Sequence, residues 1–270
     1  MIVKNEMDRY LPLAVGHLLS FVDEVRVLDD GSDDGTYEWL VDRESTGVKV
    51  KRNPGPEFFA HEGRARQNLL EWTLAGRPDY VLAIDADEFV GDPTVILKGI
   101  ETGQPVYTID LVEAWKVNAG GISIRVDGQW GPRKCPMLYE APRHTDRQWR
   151  IADRALACGR EPIPVVRGSR GAPHLETEIF HCGWLQEAER GRRAQRYFDH
   201  DGGKFHQNRH LQSILFPDEK VGLRGRPWPP GLRSFSDALI AHSKKDPLMD
   251  EMIEHMTHAV ENPDEPTLKL

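Results

Sequence analysis

The residues of this chain best suited to chemistry stand together. Tyr80-Val81-Leu82-Ala83-Ile84 is an apolar run that stops on Asp85-Ala86-Asp87-Glu88. An apolar run of this length bounded by charge reads as a strand buried on both faces, and open α/β sheets hold their ligands at the C-terminal edge of such strands. Carboxylates so close repel one another unless a cation lies between them, and hard oxygen donors suit Mg2+ or Mn2+ carrying a phosphate. Asp85-Ala86-Asp87 therefore reads as a DxD site for a metal-bound nucleoside diphosphate, although acids at a strand end, taken alone, more often start a solvated loop. A second acidic run, Asp29-Asp30-Gly31-Ser32-Asp33-Asp34-Gly35-Thr36, follows the apolar Val25-Arg26-Val27-Leu28. Its turn formers predict a passage from strand through polar loop to helix.

The elements that must position these acids are legible from periodicity. Met1-Ile2-Val3 reads as the tail of a strand shorter than the usual five or six residues, so either the first strand is short or initiation lies upstream. Leu11, Ala14, Val15, Leu18 and Val22 are spaced for a helix, with Asp8 placed to cap it. Val48-Lys49-Val50-Lys51 predicts a third strand, and Glu62 to Ala75 a helix with Ala65, Leu69 and Trp72 on one face. The order β-α-β-α-β-α-β demands crossovers, and hence a mostly parallel sheet covered by helices. After a short helix from Pro93 and a strand from Val106 to Val112, the pattern changes. Ile122 to Val126 alternates strictly and meets Asp127-Gly128, a hairpin-like turn. The stretch 143–170, with seven arginines, predicts loops and short strands. Ile179 to Cys182 reads as a strand, Gln186 to Phe198 as a charged helix, and Ser234 to Val260 as two helices broken near Asp246-Pro247. Met249, Met252 and Met256 fall on the apolar face of the last one, where core packing explains them.

Composition bounds what these elements can serve. With 270 residues, 39% of them hydrophobic, the chain can bury a real core. A net charge of -8 argues against binding nucleic acid through an overall field. Cys135, Cys158 and Cys182 form no CxxC pair, so neither a disulfide framework nor a zinc knuckle is indicated. No apolar run approaches the roughly 20 residues of a membrane helix, and a soluble, cytoplasmic protein is expected.

Lys4-Asn5-Glu6, the run Asp29 to Thr36, and Asp85-Ala86-Asp87-Glu88, in this order and on successive strand ends, resemble the family 2 glycosyltransferases. The last motif is similar to the form found in the bacterial branch that adds sugars to lipopolysaccharide cores. The resemblance covers about the first 90 residues and only loosely the rest. It implies a nucleotide-diphospho-sugar transferase (GT-A-like) fold and metal-dependent, inverting transfer of a sugar from a nucleoside-diphosphate donor. The acceptor would be a hydroxyl on a glycan, a lipid-linked molecule, a protein or a modified nucleic acid. Residue by residue, it implies that Asp30 accepts from the base, with Glu6 assisting, and that Arg64 and Arg66 lie near the nucleotide with Asp85. Asp87 and His181 would hold Mn2+ or Mg2+. Trp184 suits either stacking on a sugar or a place in the core. An inverting enzyme of this kind needs one carboxylate base. Glu161 sits where that branch has a His-Glu pair, with Arg160 replacing the histidine. Glu178 stands at the distance used by other branches, and Glu140 and Glu176 are further choices.

The expected organisation is an α/β nucleotide-sugar half over 1–115, an acceptor-side half with antiparallel strands over 116–233, and C-terminal helices over 234–270. Two other functions remain open at this point. A sugar nucleotidyltransferase would carry a glycine-rich phosphate loop after the first strand, where this chain has Lys4-Asn5-Glu6-Met7-Asp8. A non-catalytic protein that binds a nucleotide, a glycan or nucleic acid would draw on the arginines of 143–170.

Overall fold

A computed structural model describes residues 1–53, 58–143, 149–151, 159–200 and 212–244, and of 58–61 and 196–200 the backbone alone. The chain is mixed α/β, with a small parallel sheet and a larger, mainly antiparallel one. It divides into two compact units, one drawn from Met1–Leu111, Arg133–Phe180 and Pro230–Leu232, the other from Val112–Pro132, His181–Pro229 and Arg233–Leu270.

The first unit opens with β1 (Ile2–Val3), α1 (Leu11–Leu18), β2 (Val25–Asp29), α2 (Thr36–Val41), β3 (Val48–Arg52) and α3 (Phe58–Ala75). The three strands pair in parallel in that order, Ile2 opposite Leu28 and Val25 opposite Val48. The first helix starts later than Asp8 suggests. Pro12 stands in its first turn, the one place where a missing N–H costs nothing, and this fixes the start at Leu11.

Then come β4 (Tyr80–Leu82), β5 (Glu88–Val90), α4 (Pro93–Glu101) and β6 (Val106–Asn118), followed by β7 (Gly121–Arg125), β8 (Arg133–Glu140), α5 (Ile163–Gly168) and β9 (His174–His181). Asp92 caps α4, accepting from the Thr94 N–H at 3.0 Å. The mostly parallel sheet expected from the sequence is confined to three strands. Tyr80–Leu82 lies outside it and pairs antiparallel with β8, Val81 opposite Tyr139. This strand is three residues long and half-buried, not buried on both faces. A continuous apolar run marks a strand but not its neighbour, and β8 offers the buried ladder of Cys135 to Tyr139.

The core of this unit includes Val3, Leu11, Val27, Leu40, Val90 and Ile109, these six at most 2% exposed. Each such side chain stabilises by roughly 1.5–3 kcal/mol. Gly231 donates its N–H to the Gly91 carbonyl at 2.8 Å, and a Cβ there would meet the Val90 and Gly91 carbonyls at 2.9 Å, so only glycine fits.

In the second unit the later part of β6 pairs with β7, and β7 with β10 (Leu223–Arg226), all antiparallel. The hairpin turn is Asn118 to Gly121, not Asp127-Gly128 as the sequence suggests. Gly121 has φ 151°, and a Cβ on it would lie 1.9 Å from the Arg226 carbonyl oxygen. Arg125, fully buried, lies 4.5 and 4.6 Å from the ring centres of Trp115 and Trp130. It is anchored by Asp127 at 2.7 and 2.9 Å and by the Ser213 carbonyl at 2.7 Å. Helices α6 (Glu187–His200) and Ser236–Ser243 follow. The second C-terminal helix expected around Met249, Met252 and Met256, the residue Cys158 and much of 143–170 fall outside the described residues. No described helix is long and apolar enough to cross a membrane.

Candidate functional site

The run after β2 is held by its own chemistry. Asp29, fully buried, accepts from the N–H groups of Gly31 (3.2 Å) and Ser32 (3.2 and 3.3 Å), and Arg52 reaches it at 3.2 Å. Asp30, 1% exposed, accepts from the Asn53 side-chain amide at 2.7 Å, and its own N–H donates to the Val3 carbonyl at 2.8 Å. The loop is stitched to the turn after β1. Asn5, at φ 54°, donates its N–H to Ser32 Oγ at 2.9 Å and exchanges two further hydrogen bonds with Asp33. Glu6 N–H donates to Thr36 Oγ1, and Met7 N–H to Asp34 Oδ2. Partial burial would push the Asp34 carboxyl up, but the hydroxyl and N–H of Thr36 and the N–H of Met7 hold it below the usual carboxylate range. Glu6 itself pairs with Arg9 at 2.5 Å. The two motifs are thus one hydrogen-bonded rim at the C-terminal ends of β1 and β2.

The DxD region is organised by arginines. Arg66, on α3, reaches Asp85 Oδ1 at 3.3 Å and Glu62 at 2.7 Å. Arg160 reaches Asp85 Oδ2 at 2.7 Å and clasps both oxygens of Glu88 at 2.7 and 2.9 Å. Burial would raise the Asp85 carboxyl, but Arg160 and then Arg66 outweigh it and hold the acid well below the usual range. Glu88 is therefore not a third acid at the sheet mouth. It is buried at the start of β5 and neutralised there, with Oε2 accepting the Asp85 N–H at 2.9 Å. Asp87 is half-buried in the turn between, and Arg64 is exposed on α3.

The carboxylates named as bases differ in setting. Glu161 is 1% exposed; its Oε2 accepts the Arg160 N–H at 3.3 Å, and its Oε1 has no hydrogen-bond partner among the described residues. Its charge adds to burial in pushing the Tyr139 phenol upward. Glu178 is half-buried on β9, its carbonyl accepting the Gly91 N–H at 2.8 Å. Glu140 and Glu176 are exposed.

His181 opens the later segment of the second unit. Its Nδ1 lies 2.5 Å from Glu113 Oε2, which also accepts the Trp184 indole N–H at 2.7 Å. Trp184 is a core residue, packed with Trp115 and Trp130.

Sequence reasoning missed three partners: Asn53 beneath Asp30, Arg160 on the DxD acid, and Glu113 behind His181. For Arg160 a signal was present, since an arginine in place of histidine beside Glu161 calls for an acidic partner. Among the described residues no group of three or more His, Cys, Asp or Glu side chains is arranged to hold a metal ion. Asp85, with a guanidinium on each oxygen, does not fit a cation. Asp87 fits the mode in which one or two carboxylates and substrate phosphates share a divalent ion.

No known protein family matches the sequence, and no curated protein matches it. Two solved structures are similar in fold. The crystal structure of S. aureus TarS is 14% identical, with a TM-score of 0.44, covering 79% of this chain and 41% of that one. That of S. aureus TarS 1-349 in complex with UDP is 13% identical, with a TM-score of 0.45, covering 100% of this chain and 92% of that one.

Proposed function

We propose that this chain transfers a glycosyl group from a nucleoside-diphosphate sugar to an acceptor hydroxyl, on a GT-A-like nucleotide-sugar fold. The observation that carries the reading is Asp30, a buried carboxylate at the C-terminal end of a parallel strand, in a loop stitched to the turn after β1. Strand ends of this kind are where α/β sheets take nucleotides. Asp30 accepts from Asn53, and a carboxylate in such a place is a fitting acceptor for the ring N–H of a uracil or guanine.

Arg66, shared between Asp85 and Glu62, is the guanidinium offered to the diphosphate or the base, with Arg64 as an outer cation. Asp87 is the carboxylate for Mn2+ or Mg2+, and a cation bound there would supply positive charge for the departing diphosphate. The same reading gives His181 an imidazole-ligand role, with Nδ1 turned to Glu113 and Nε2 as the ligating atom. Glu161 is proposed as the base. It follows the arginine that holds Asp85, and a buried carboxylate oxygen without a partner is a group in an unsatisfied state.

The test is a thermal-shift panel of UDP-, GDP-, ADP- and TDP-sugars with Mn2+, because a ligand that binds only the native state raises the melting temperature. One nucleotide class is expected to stand out and to be hydrolysed slowly to the nucleoside diphosphate. Glu161→Gln should keep donor binding and lose transfer. If Glu178→Gln does so instead, the base is on β9. A panel with no shift and no hydrolysis would remove the reading.

A further inference from the structure

The turn after β1 and the loop after β2 meet along a seam, and one side chain closes it. The Val3 carbonyl accepts the Asp30 N–H at 2.8 Å, and further on Glu6 and Met7 give their backbone N–H groups to Thr36 Oγ1 at 2.9 Å and Asp34 Oδ2 at 3.0 Å. Between these bonds stands Asn5. Its N–H donates to Oγ of the buried Ser32 at 2.9 Å, its Nδ2 donates to Asp33 Oδ1 at 2.9 Å, and its Oδ1 accepts the Asp33 N–H at 3.0 Å. The bonds of Glu6 and Met7 need only a backbone on this side of the seam, whereas the clip to Asp33 depends on the residue type.

That type is demanding. Position 5 has φ 54°, a left-handed conformation that asparagine adopts more readily than most residues. Glycine would take the same conformation but has no side chain to reach Asp33. Aspartate would accept the Asp33 N–H but set one carboxylate against another. A side-chain amide both donates and accepts, which is what Asp33 presents to it. The loop also needs holding. Gly31 and Gly35, at φ 82° and 90°, bracket Ser32 to Asp34, and glycine has more backbone freedom to lose than any other residue. Asp30 directly precedes the first of them.

Resting on the transferase reading, we propose that Asn5 is a positioning residue for the nucleotide. It acts through Asp30, by holding the loop from Gly31 to Gly35 in the one conformation in which that carboxylate meets the base. A loop that is already ordered has no ordering cost left when the ligand arrives, and a loop that samples other conformations lowers the apparent affinity by the fraction of time it is competent. Both side-chain bonds are open to water, so each contributes near the lower end of the usual range, and together they should change nucleotide affinity by about fivefold.

The parent chain is compared with Asn5→Gly, which keeps the left-handed backbone and removes the amide, with Asn5→Asp, and with Asn5→Asp combined with Asp33→Asn. The last exchanges the two side chains and sets a donor opposite an acceptor again. UDP and GDP are titrated with Mn2+ by calorimetry, and hydrolysis of UDP- and GDP-sugars is followed. Asn5→Gly is expected to weaken whichever nucleotide the parent binds by about fivefold, with the loss falling on KM and not on kcat. Hydrogen exchange at the Asp33 amide should quicken in the same variant. Asn5→Asp should bind at least as weakly as Asn5→Gly, and the exchanged pair should recover most of the loss. Unchanged nucleotide affinity in Asn5→Gly overturns the proposal, as does a lowered kcat at constant KM, or an exchanged pair that binds no better than Asn5→Asp. Those results leave the transferase reading standing, because the parent still binds its nucleotide. A parent that binds neither UDP nor GDP removes the reading and this proposal together.

Discussion

A single guanidinium, that of Arg160, lies 2.7 Å from Asp85 Oδ2 and 2.7 Å from Glu88 Oε1. Its side chain is 6% exposed and that of Glu88 3%, so the pair is desolvated and its loss leaves a buried charge. Arg160→Ala should destabilise the first unit by about 3–5 kcal/mol. Arg66→Ala should cost less, since Asp85 keeps Arg160. Urea denaturation followed by circular dichroism separates the two, and equal losses would contradict this division.

Asp30 and Asn53 should act as a pair. Asp30→Ala is expected to weaken nucleoside-diphosphate affinity more than it weakens Mn2+ binding, because its proposed partner is the base. Asn53→Ala should weaken the nucleotide less, by orphaning part of the Asp30 carboxylate. A double-mutant cycle measured by calorimetry should give a non-zero coupling. Unchanged nucleotide affinity in Asp30→Ala would move the base elsewhere.

Asp87→Ala is expected to abolish metal-dependent nucleotide binding while the melting temperature stays within a degree or two, since a half-buried turn carboxylate contributes little to the core. Full transfer activity in this variant would remove the DxD assignment.

His17 gives the first unit a pH dependence. It is 1% exposed, its Nε2 accepts the Val90 N–H at 3.1 Å, and burial lowers its pKa from 6.5 to about 4. The unfolded chain takes up the proton near pH 6.5 and the folded chain only near pH 4. Stability should therefore be unaffected by this group above pH 7 and fall as pH drops from about 6.5 to 4, by up to about 3 kcal/mol. His17→Gln should flatten that part of the profile, and an unchanged slope would show that other groups cause it.

Glu113 accepts from the Trp184 indole and pairs with the His181 ring through one oxygen. Glu113→Ala should cost about 2–4 kcal/mol, because two groups in a largely dry setting lose their partner. Glu113→Gln should recover much of it. The His181 ring nitrogens, read by NMR, should change tautomer balance in both variants, and an unmoved spectrum would show that Glu113 does not orient the ring.

Much of the first unit was legible in the sequence because its signals are local. Val25 to Leu28 and Val48 to Lys51 are strands, Asp92-Pro93 starts a helix, and the run from Asp29 to Thr36 passes from strand end through a loop into a helix. What the sequence could not specify was pairing. Tyr80 to Leu82 is the same apolar run whichever strand lies beside it, and its partner in β8 is contributed by residues some 60 positions later. The turn at Asn118 to Gly121 was hidden for a related reason: Asp127-Gly128 has the stronger local turn signal, but the close approach of Arg226 decides which glycine is required. At the candidate site, Asp30 and Arg66 were named from motif positions. Arg160, Asn53 and Glu113 were not, because each matters only through a partner distant in sequence, and no periodicity records that.

The indoles of Trp115, Trp130 and Trp184 stand with ring centres 5.2 to 6.3 Å apart, two of the three pairs edge-to-face. At such separations the excited states of neighbouring chromophores mix, and the second unit should carry an exciton couplet in its far-ultraviolet dichroism. Trp39 and Trp72 of the first unit instead lie under cations, Arg43 over one and Arg26 with Lys51 over the other. Because these three indoles all lie in the second unit, loss of their couplet during a melt would time the unfolding of that unit without any added label.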